Sequence, residues 1–307
     1  MKDHAAKPVL SSRAEGFLDG LAPELLIVGG AVSVQFGAGL ATALLREYGP
    51  LPVVAMRIVF GMILLILVRP PRLRGASLDA LLSCVGLGIV LMAMNTAFYV
   101  ALSRIPLGVA VTIEFWGPLT MAVLGSRRLL DLAWVALAAI GIYVLAGGRI
   151  NSDDGAGIVA IFVAGGCWAL YILIGGRMAR HWPDGRGLSL AMIVAAVMVA
   201  PVSLTFGDFR PLLVAPVAIA GGLIVALFSS ALPYTFEIAA LRRLAPSTFG
   251  VLMSLEPAIA TLAGFLVLGQ TLHPLDLAAV ACVAVASAGA SLSARRLRVA
   301  AGELESA

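Results

Sequence analysis

Long apolar runs are the feature that most limits how this chain can fold. A run of about 17–25 residues can cross the hydrocarbon core of a bilayer as a helix. The predicted spans are residues 25–45, 51–68, 80–102, 107–125, 131–148, 157–176, 188–206, 212–239, 246–268 and 275–293. Only 12% of the residues are charged, whereas a soluble domain carries about 25%. The sequence therefore predicts an all-α integral membrane protein with ten transmembrane helices.

The distribution of Lys and Arg predicts which side of the membrane each loop faces. With the N-terminus inside, cytoplasmic segments carry 16 of the 21 basic residues, external loops carry 4, and Arg57 lies inside the second span. Under the positive-inside rule, both termini are expected in the cytoplasm, which requires an even number of spans. The polar segment 1–24 lacks the apolar core of a signal peptide, so no cleaved targeting segment is expected.

The two halves of the chain show sequence similarity at an offset of 139 residues, which aligns Pro118 with Pro257 and Gly125 with Gly264. Each half holds five predicted spans, and an odd number inverts the second copy relative to the first. Inverted repeats are a signature of secondary transporters. The expected organisation is a cytoplasmic segment 1–24, two five-helix repeats at 25–148 and 157–293, and a cytoplasmic tail 294–307.

Four ionisable residues fall inside the predicted spans, namely Arg57, Glu114, Glu237 and Glu256. A charge at the centre of a membrane helix costs about 2.5–3.5 kcal/mol on insertion scales, so such residues usually face a cavity or a partner. Glu114 lies roughly 10 Å inside its span, at the depth of Arg57. Two interpretations stay open: Glu114 pairs with Arg57, or it faces a cavity and binds a proton or a substrate amine. For each residue the alternative is a buried anchor between helices.

Prolines accompany the acidic residues. Pro257 follows Glu256 directly, and Pro118 lies four residues after Glu114. Proline interrupts helical hydrogen bonding, which suits a site that must bind an ammonium group and then release it, although prolines are also tolerated in ordinary membrane helices. Glu237 shares a helix face with Tyr234 and is predicted to act at a cytoplasmic gate or in a proton relay.

Neutral polar and aromatic residues complete the candidate site. They can form hydrogen bonds with a zwitterion, but contacts between helices explain each of them equally well. The predicted substrate-binding residues are Gln35, Asn95, Tyr99, Glu114, Trp116, Trp168, Tyr171, Tyr234 and Glu256. The predicted proton-coupling or gating residues are Arg57, Glu114, Glu237, Pro118 and Pro257.

Several functional classes are disfavoured. The three Cys and three His residues are dispersed, which supports neither a disulfide framework nor a metal site. Nucleotide-binding and hydrolase motifs are missing from the sequence, so no cofactor and no enzymatic activity are expected. The net charge of +4 reflects the cytoplasmic loops and does not indicate nucleic-acid binding.

The segments around Glu114 and Tyr234 resemble a known family. The first reads PLGVAVTIEFWGP, of the form PLG-x-A-x-x-x-EF-x-GP, and the second contains ALPYTFE. Over roughly residues 20–295 the chain resembles the amino-acid exporter branch of the drug/metabolite transporter superfamily (EamA-type domains), and within it the threonine/homoserine exporters.

The resemblance implies ten helices in two inverted repeats, an inner-membrane location and efflux driven by the proton gradient. We therefore expect an exporter of small amino acids that works by proton antiport and alternating access, with protons and the lipid bilayer as its other partners. The nearest alternative is an exporter of other metabolites, drugs or aromatic amino acids. A channel or an intramembrane enzyme is less favoured.

Overall fold

The computed structural model describes residues 20–71, 73, 75–124, 129–147, 155–182, 184–208, 215–241, 243 and 252–300. Within these ranges every regular element is helical. The helices are α1 Pro23–Tyr48, α2 Pro50–Val68, α3 Leu78–Leu102, α4 Leu107–Glu114, α5 Trp116–Leu124, α6 Leu129–Gly147, α7 Gly155–His181, α8 Arg186–Phe206, α9 Pro216–Ala226, α10 Leu232–Leu241, α11 Glu256–Leu268 and α12 Pro274–Ala300. A π-helical turn, Leu227–Ala231, joins α9 to α10.

The helices fall on the predicted spans. Six segments of the described chain are long and apolar enough to cross a membrane: α1, α2, α3, α7, α8 and Pro216–Glu237. Four shorter apolar stretches, Leu107–Met121, Ala133–Val144, Glu256–Leu268 and Pro274–Ala290, lie in the other four predicted spans. The all-α membrane class is confirmed. Within the predicted spans, residues 125, 148, 212–214 and 246–251 lie outside the described part of the chain.

The fourth predicted span is interrupted where a single helix was expected. It forms α4 and α5 on either side of Phe115, and Pro118 explains the position of the break. In a regular helix the N–H of residue 118 would donate to the carbonyl of Glu114, but proline has no N–H and its ring clashes with that carbonyl. The carbonyl oxygen of Glu114 instead faces Gly165 of α7, where a Cβ atom would lie 2.7 Å away.

Close contact between helices depends on small residues, as at Gly88 in α3. A Cβ atom added to Gly88 would lie 2.5 Å from the carbonyl oxygen of Ala191 and 2.6 Å from the Cβ of Val194, both in α8. The backbones of α3 and α8 can therefore approach only because Gly88 lacks a side chain. These helices contact α2 and α7, so their spacing sets the position of much of the bundle.

We expect Gly88→Ala to destabilise the protein, since overpacking a tightly packed contact typically costs about 1–3 kcal/mol. Thermal unfolding of the purified protein in detergent would measure the lowered Tm. Gly176→Ala in α7 is the matched control, because a Cβ atom there meets nothing within 4 Å. An equal Tm for the two variants would contradict the assigned contact.

Candidate substrate-binding site

The site is built around the break in the helix before Pro233. Proline has no N–H to donate to the carbonyls that precede it. Two of those carbonyls are bonded by side chains of other helices. The Phe228 carbonyl accepts a hydrogen bond from Ser33 Oγ of α1 at 2.7 Å. The Ser229 carbonyl accepts one from Arg57 Nη2 of α2 at 2.8 Å. The π-helical turn is thus held in place by α1 and α2.

Arg57 is buried, with 6% of its surface exposed. Its Nε donates to Ser230 Oγ at 3.3 Å, and its guanidinium carbon lies 5.3 Å from the centre of the Tyr99 ring. Ring faces attract cations at this distance. The charge is therefore stabilised by a carbonyl dipole, a hydroxyl and an aromatic ring, which lowers the cost of holding it inside the bundle.

Arg57 and Glu114 are neighbours but do not form an ion pair. The positive charge of Arg57 acts on Glu114 electrostatically. Within the described residues, however, no ion pair joins them, and the hydrogen bonds of Arg57 go to Ser229 and Ser230. The sequence left two arrangements open, a Glu114–Arg57 pair or a Glu114 that faces a cavity. The geometry favours the second, because Glu114 is not in direct contact with Arg57.

The three acidic residues of the predicted site come together. Glu256 interacts electrostatically with both Glu114 and Glu237, and it faces the side-chain amide of Gln35. Glu114 and Glu256 are buried, whereas Glu237 is half-buried. These residues lie on α4, α10 and α11, so three separate helices bring carboxyl groups to one region of the bundle.

Three tyrosines and an asparagine join the same cluster. Tyr234 interacts with Arg57, Glu237, Asn95 and Tyr99. Tyr171 of α7 interacts with Tyr234 and Glu237. We call this set the polar cluster, and its members are Gln35, Arg57, Asn95, Tyr99, Glu114, Tyr171, Tyr234, Glu237 and Glu256.

Buried polar atoms in the polar cluster lack hydrogen-bond partners among the described residues. They are Gln35 Oε1, Tyr99 Oη and Glu256 Oε2, with Ser229 Oγ of the adjacent π-helical turn. The large majority of buried side-chain polar atoms in proteins are hydrogen-bonded, and each unbonded one costs about 1–3 kcal/mol. Their concentration at one place, on three helices and one turn, makes this region the candidate binding site for a polar ligand.

Comparison with known proteins identifies relatives of this chain. The threonine/homoserine exporter RhtA of Escherichia coli (strain K12) is 39% identical over 280 residues, which cover 89% of this chain and 92% of the exporter. The RhtA protein of Salmonella typhimurium (strain SL1344) is 38% identical over 285 residues, with the same coverage. The EamA-like transporter family matches residues 155–292.

This chain belongs to the EamA-like transporter family. A protein of known crystal structure shares the fold of this EamA-like transporter with a TM-score of 0.60 and 21% identity, over 89% of this chain and 98% of that one. Family membership identifies a transporter rather than an enzyme, and the apolar helices make it a multi-pass membrane protein.

Not every predicted residue of the EamA-like transporter lies in the polar cluster. Trp168 packs edge-on against Phe115, with ring centres 5.2 Å apart, next to the break that follows Glu114. Trp116 Nε1 donates to the carbonyl of Phe162 in α7 at 3.2 Å, at an exposed position. The Trp116 indole therefore packs against α7, where it lies next to Gly165 and Gly166. Pro118 and Pro257 lie at the break after Glu114 and at the start of α11.

Sequence reasoning missed three serines, Ser33, Ser229 and Ser230. A usable signal was present, because Ser229 and Ser230 lie four and three residues before Pro233, where a proline leaves carbonyls without their usual donor. The partners of those carbonyls, Ser33 and Arg57, are more than 170 positions away in sequence. The structure was needed to find them.

A cavity of about 250 Å³ lies apart from the polar cluster, at the loop after α3. Its lining includes Arg46, Arg104 and Gln270, and it contains none of the predicted site residues. Size alone does not make it the binding site, because the buried unbonded atoms and the grouped carboxylates lie elsewhere.

We expect Trp116→Phe to lower stability without changing the KM for substrate. The variant loses the hydrogen bond to Phe162, which contributes about 1 kcal/mol, but no member of the polar cluster. Thermal unfolding and transport kinetics of the same preparation would measure the two effects. Tyr143→Phe, a change at an exposed position of α6, controls for general effects. A KM raised tenfold by Trp116→Phe would place its indole in the site after all.

Proposed function

We propose that this transporter exports small neutral amino acids, of the threonine and homoserine type, from the cytoplasm in exchange for protons. The observation that carries the proposal is the polar cluster, where a buried guanidinium and three carboxylates lie together without direct pairing between Arg57 and Glu114. A zwitterion offers charges of both signs to such a site. The names of the relatives, which are threonine/homoserine exporters over 89% of this chain, support the substrate class.

The proposed topology has ten crossings of the inner membrane, both termini in the cytoplasm and two inverted five-helix repeats. The Lys and Arg distribution supports the orientation. The helices that fall on all ten predicted spans support the count. In this arrangement the polar cluster draws residues from both halves of the chain, as expected for a transporter whose substrate site lies between inverted repeats.

The proposed cycle uses a carboxylate as the coupling group. With Glu114 charged, the substrate ammonium binds from the cytoplasm beside Glu114 and Glu256. The halves then rearrange, the substrate leaves outside, and a proton binds the carboxylate. The neutral carrier returns, releases the proton to the cytoplasm and is charged again. The breaks at Phe115, at Leu227–Ala231 and before Glu256 lie next to the cluster, where helix segments can move without unwinding a complete span.

We expect inverted membrane vesicles that contain the protein to accumulate labelled threonine and homoserine when their lumen is acidic. For one proton per substrate, a gradient of one pH unit drives accumulation of up to about tenfold with the membrane potential clamped. Vesicles without the protein are the control. Saturable uptake of aromatic amino acids or cationic drugs, with none of threonine or homoserine, would assign the chain to the alternative exporter class. Uptake that does not respond to the gradient would contradict antiport.

We expect Glu114→Gln to abolish accumulation driven by the pH gradient while threonine–threonine exchange continues. Glutamine resembles the protonated carboxyl group in shape but cannot release a proton. Uptake and exchange in the same vesicles separate the two steps. Glu24→Gln is the matched control, because Glu24 is exposed in the first turn of α1. A Glu114→Gln variant with wild-type accumulation would show that the proton binds elsewhere.

A further inference from the structure

We propose that the polar cluster holds the zwitterion in one orientation, with Arg57, Tyr99 and Tyr234 binding the substrate carboxylate and Gln35, Glu114 and Glu256 binding the ammonium group. This assignment rests on the proposed function and adds which end of the substrate each part of the site recognises. It gives Arg57 a substrate-binding role in place of a purely gating one.

The donor side of the site is centred on the guanidinium of Arg57. Two of its nitrogens are used by the π-helical turn, since Nε donates to Ser230 and Nη2 to Ser229. Nη1 has no hydrogen bond to any described residue. The bonds to the turn fix the plane of the guanidinium, so Nη1 is held in a defined direction. Guanidinium groups bind carboxylates with charge-assisted hydrogen bonds.

Two hydroxyl groups add to this donor side. Tyr99 is fully buried, its ring lies under the guanidinium, and its Oη has no partner among the described residues. Tyr234 is buried and interacts with both Arg57 and Tyr99. If the Tyr99 side chain only filled space, phenylalanine would fill it equally well. Phenylalanine would also avoid the free-energy cost of burying a hydroxyl group without a hydrogen bond. An arriving carboxylate, with about four acceptor sites, would bond these hydroxyls.

The acceptor side lies on other helices. Gln35 Oε1 in α1 and Glu256 Oε2 in α11 are buried and have no hydrogen-bond partner within the described chain. Gln35 faces Glu256, and Glu256 interacts electrostatically with Glu114. An ammonium group donates three hydrogen bonds and accepts none, so it matches this side and not the donor side.

The separation of donors from acceptors selects for zwitterions. A cationic amine without a carboxylate leaves Arg57 Nη1 and the Tyr99 hydroxyl without an acceptor, and an N-acylated amino acid leaves Glu256 Oε2 and Gln35 Oε1 without a donor. A site whose buried polar groups stay unbonded discriminates strongly against the incomplete ligand. The substrate class is therefore free α-amino acids with both charges intact.

The test measures counterflow of labelled threonine into proteoliposomes that contain the full-length protein. Unlabelled compounds are added as competitors, and the concentration at which each one inhibits the counterflow is measured. The competitors are threonine, threonine methyl ester, which lacks the negative charge, and N-acetylthreonine, which lacks the positive one. For the wild type, we expect each modified compound to compete at least about tenfold less well than threonine, because each leaves buried polar atoms of the site unbonded.

Tyr99→Phe is the decisive variant, since it removes a hydroxyl that has no partner among the described residues and keeps the ring under Arg57. We expect it to weaken competition by threonine roughly three- to tenfold and to leave competition by the methyl ester unchanged. Tyr143→Phe makes the same chemical change at an exposed position of α6 and should change neither value.

A second variant, Arg57→Lys, keeps the charge but not the planar group, and should also reduce the preference for threonine over its ester. Arg177→Lys, at an exposed position of α7, is its control.

The assignment is overturned if the ester competes as well as threonine in the wild type, or if Tyr99→Phe leaves the threonine-to-ester ratio unchanged. If the wild type shows no saturable counterflow of threonine or homoserine, the proposed function itself is overturned. Normal counterflow with an unchanged threonine-to-ester ratio overturns only the orientation of the substrate, so the two failures can be told apart.

Discussion

Pro233 cannot donate a backbone hydrogen bond, and much of the site follows from that constraint. Inside a membrane protein an unbonded carbonyl costs several kcal/mol, so the carbonyls before a proline must find other donors. Ser33 and Arg57 provide them for Phe228 and Ser229. The same contacts join α1 and α2 to the broken helix α9–α10, and they hold a buried guanidinium in a fixed position.

Prolines near the carboxylates have a related effect. Pro118 ends α4 at Glu114 and leaves that carbonyl facing Gly165, while α11 begins at Glu256 with Pro257 in its first turn. Irregular backbone at membrane depth is stable only when protein covers it or when it lines a cavity. In this EamA-like transporter the three irregular segments all lie beside the polar cluster. Transporters commonly use interrupted helices in this way, because the helix ends present polar groups to a ligand.

The sequence predicted the helices and named every member of the polar cluster as a candidate, since apolar length and buried charge are properties of a single segment. It also placed Arg57 and Glu114 at one depth. It did not predict that Arg57 bonds Ser229 and Ser230, nor that Trp116 faces α7. Depth follows from counting residues along a helix. The direction of a side chain depends on how the helix is rotated about its axis, and contacts with distant segments determine that rotation.

The most direct test of the account is an experimental structure of the full-length protein with bound threonine. The account predicts one threonine in the polar cluster, with its carboxylate within hydrogen-bond distance of Arg57 and Tyr99 and its ammonium group beside Glu256 or Glu114. Threonine bound in the cavity lined by Arg46 and Arg104, or Arg57 in an ion pair with Glu114 while threonine is bound, would contradict it.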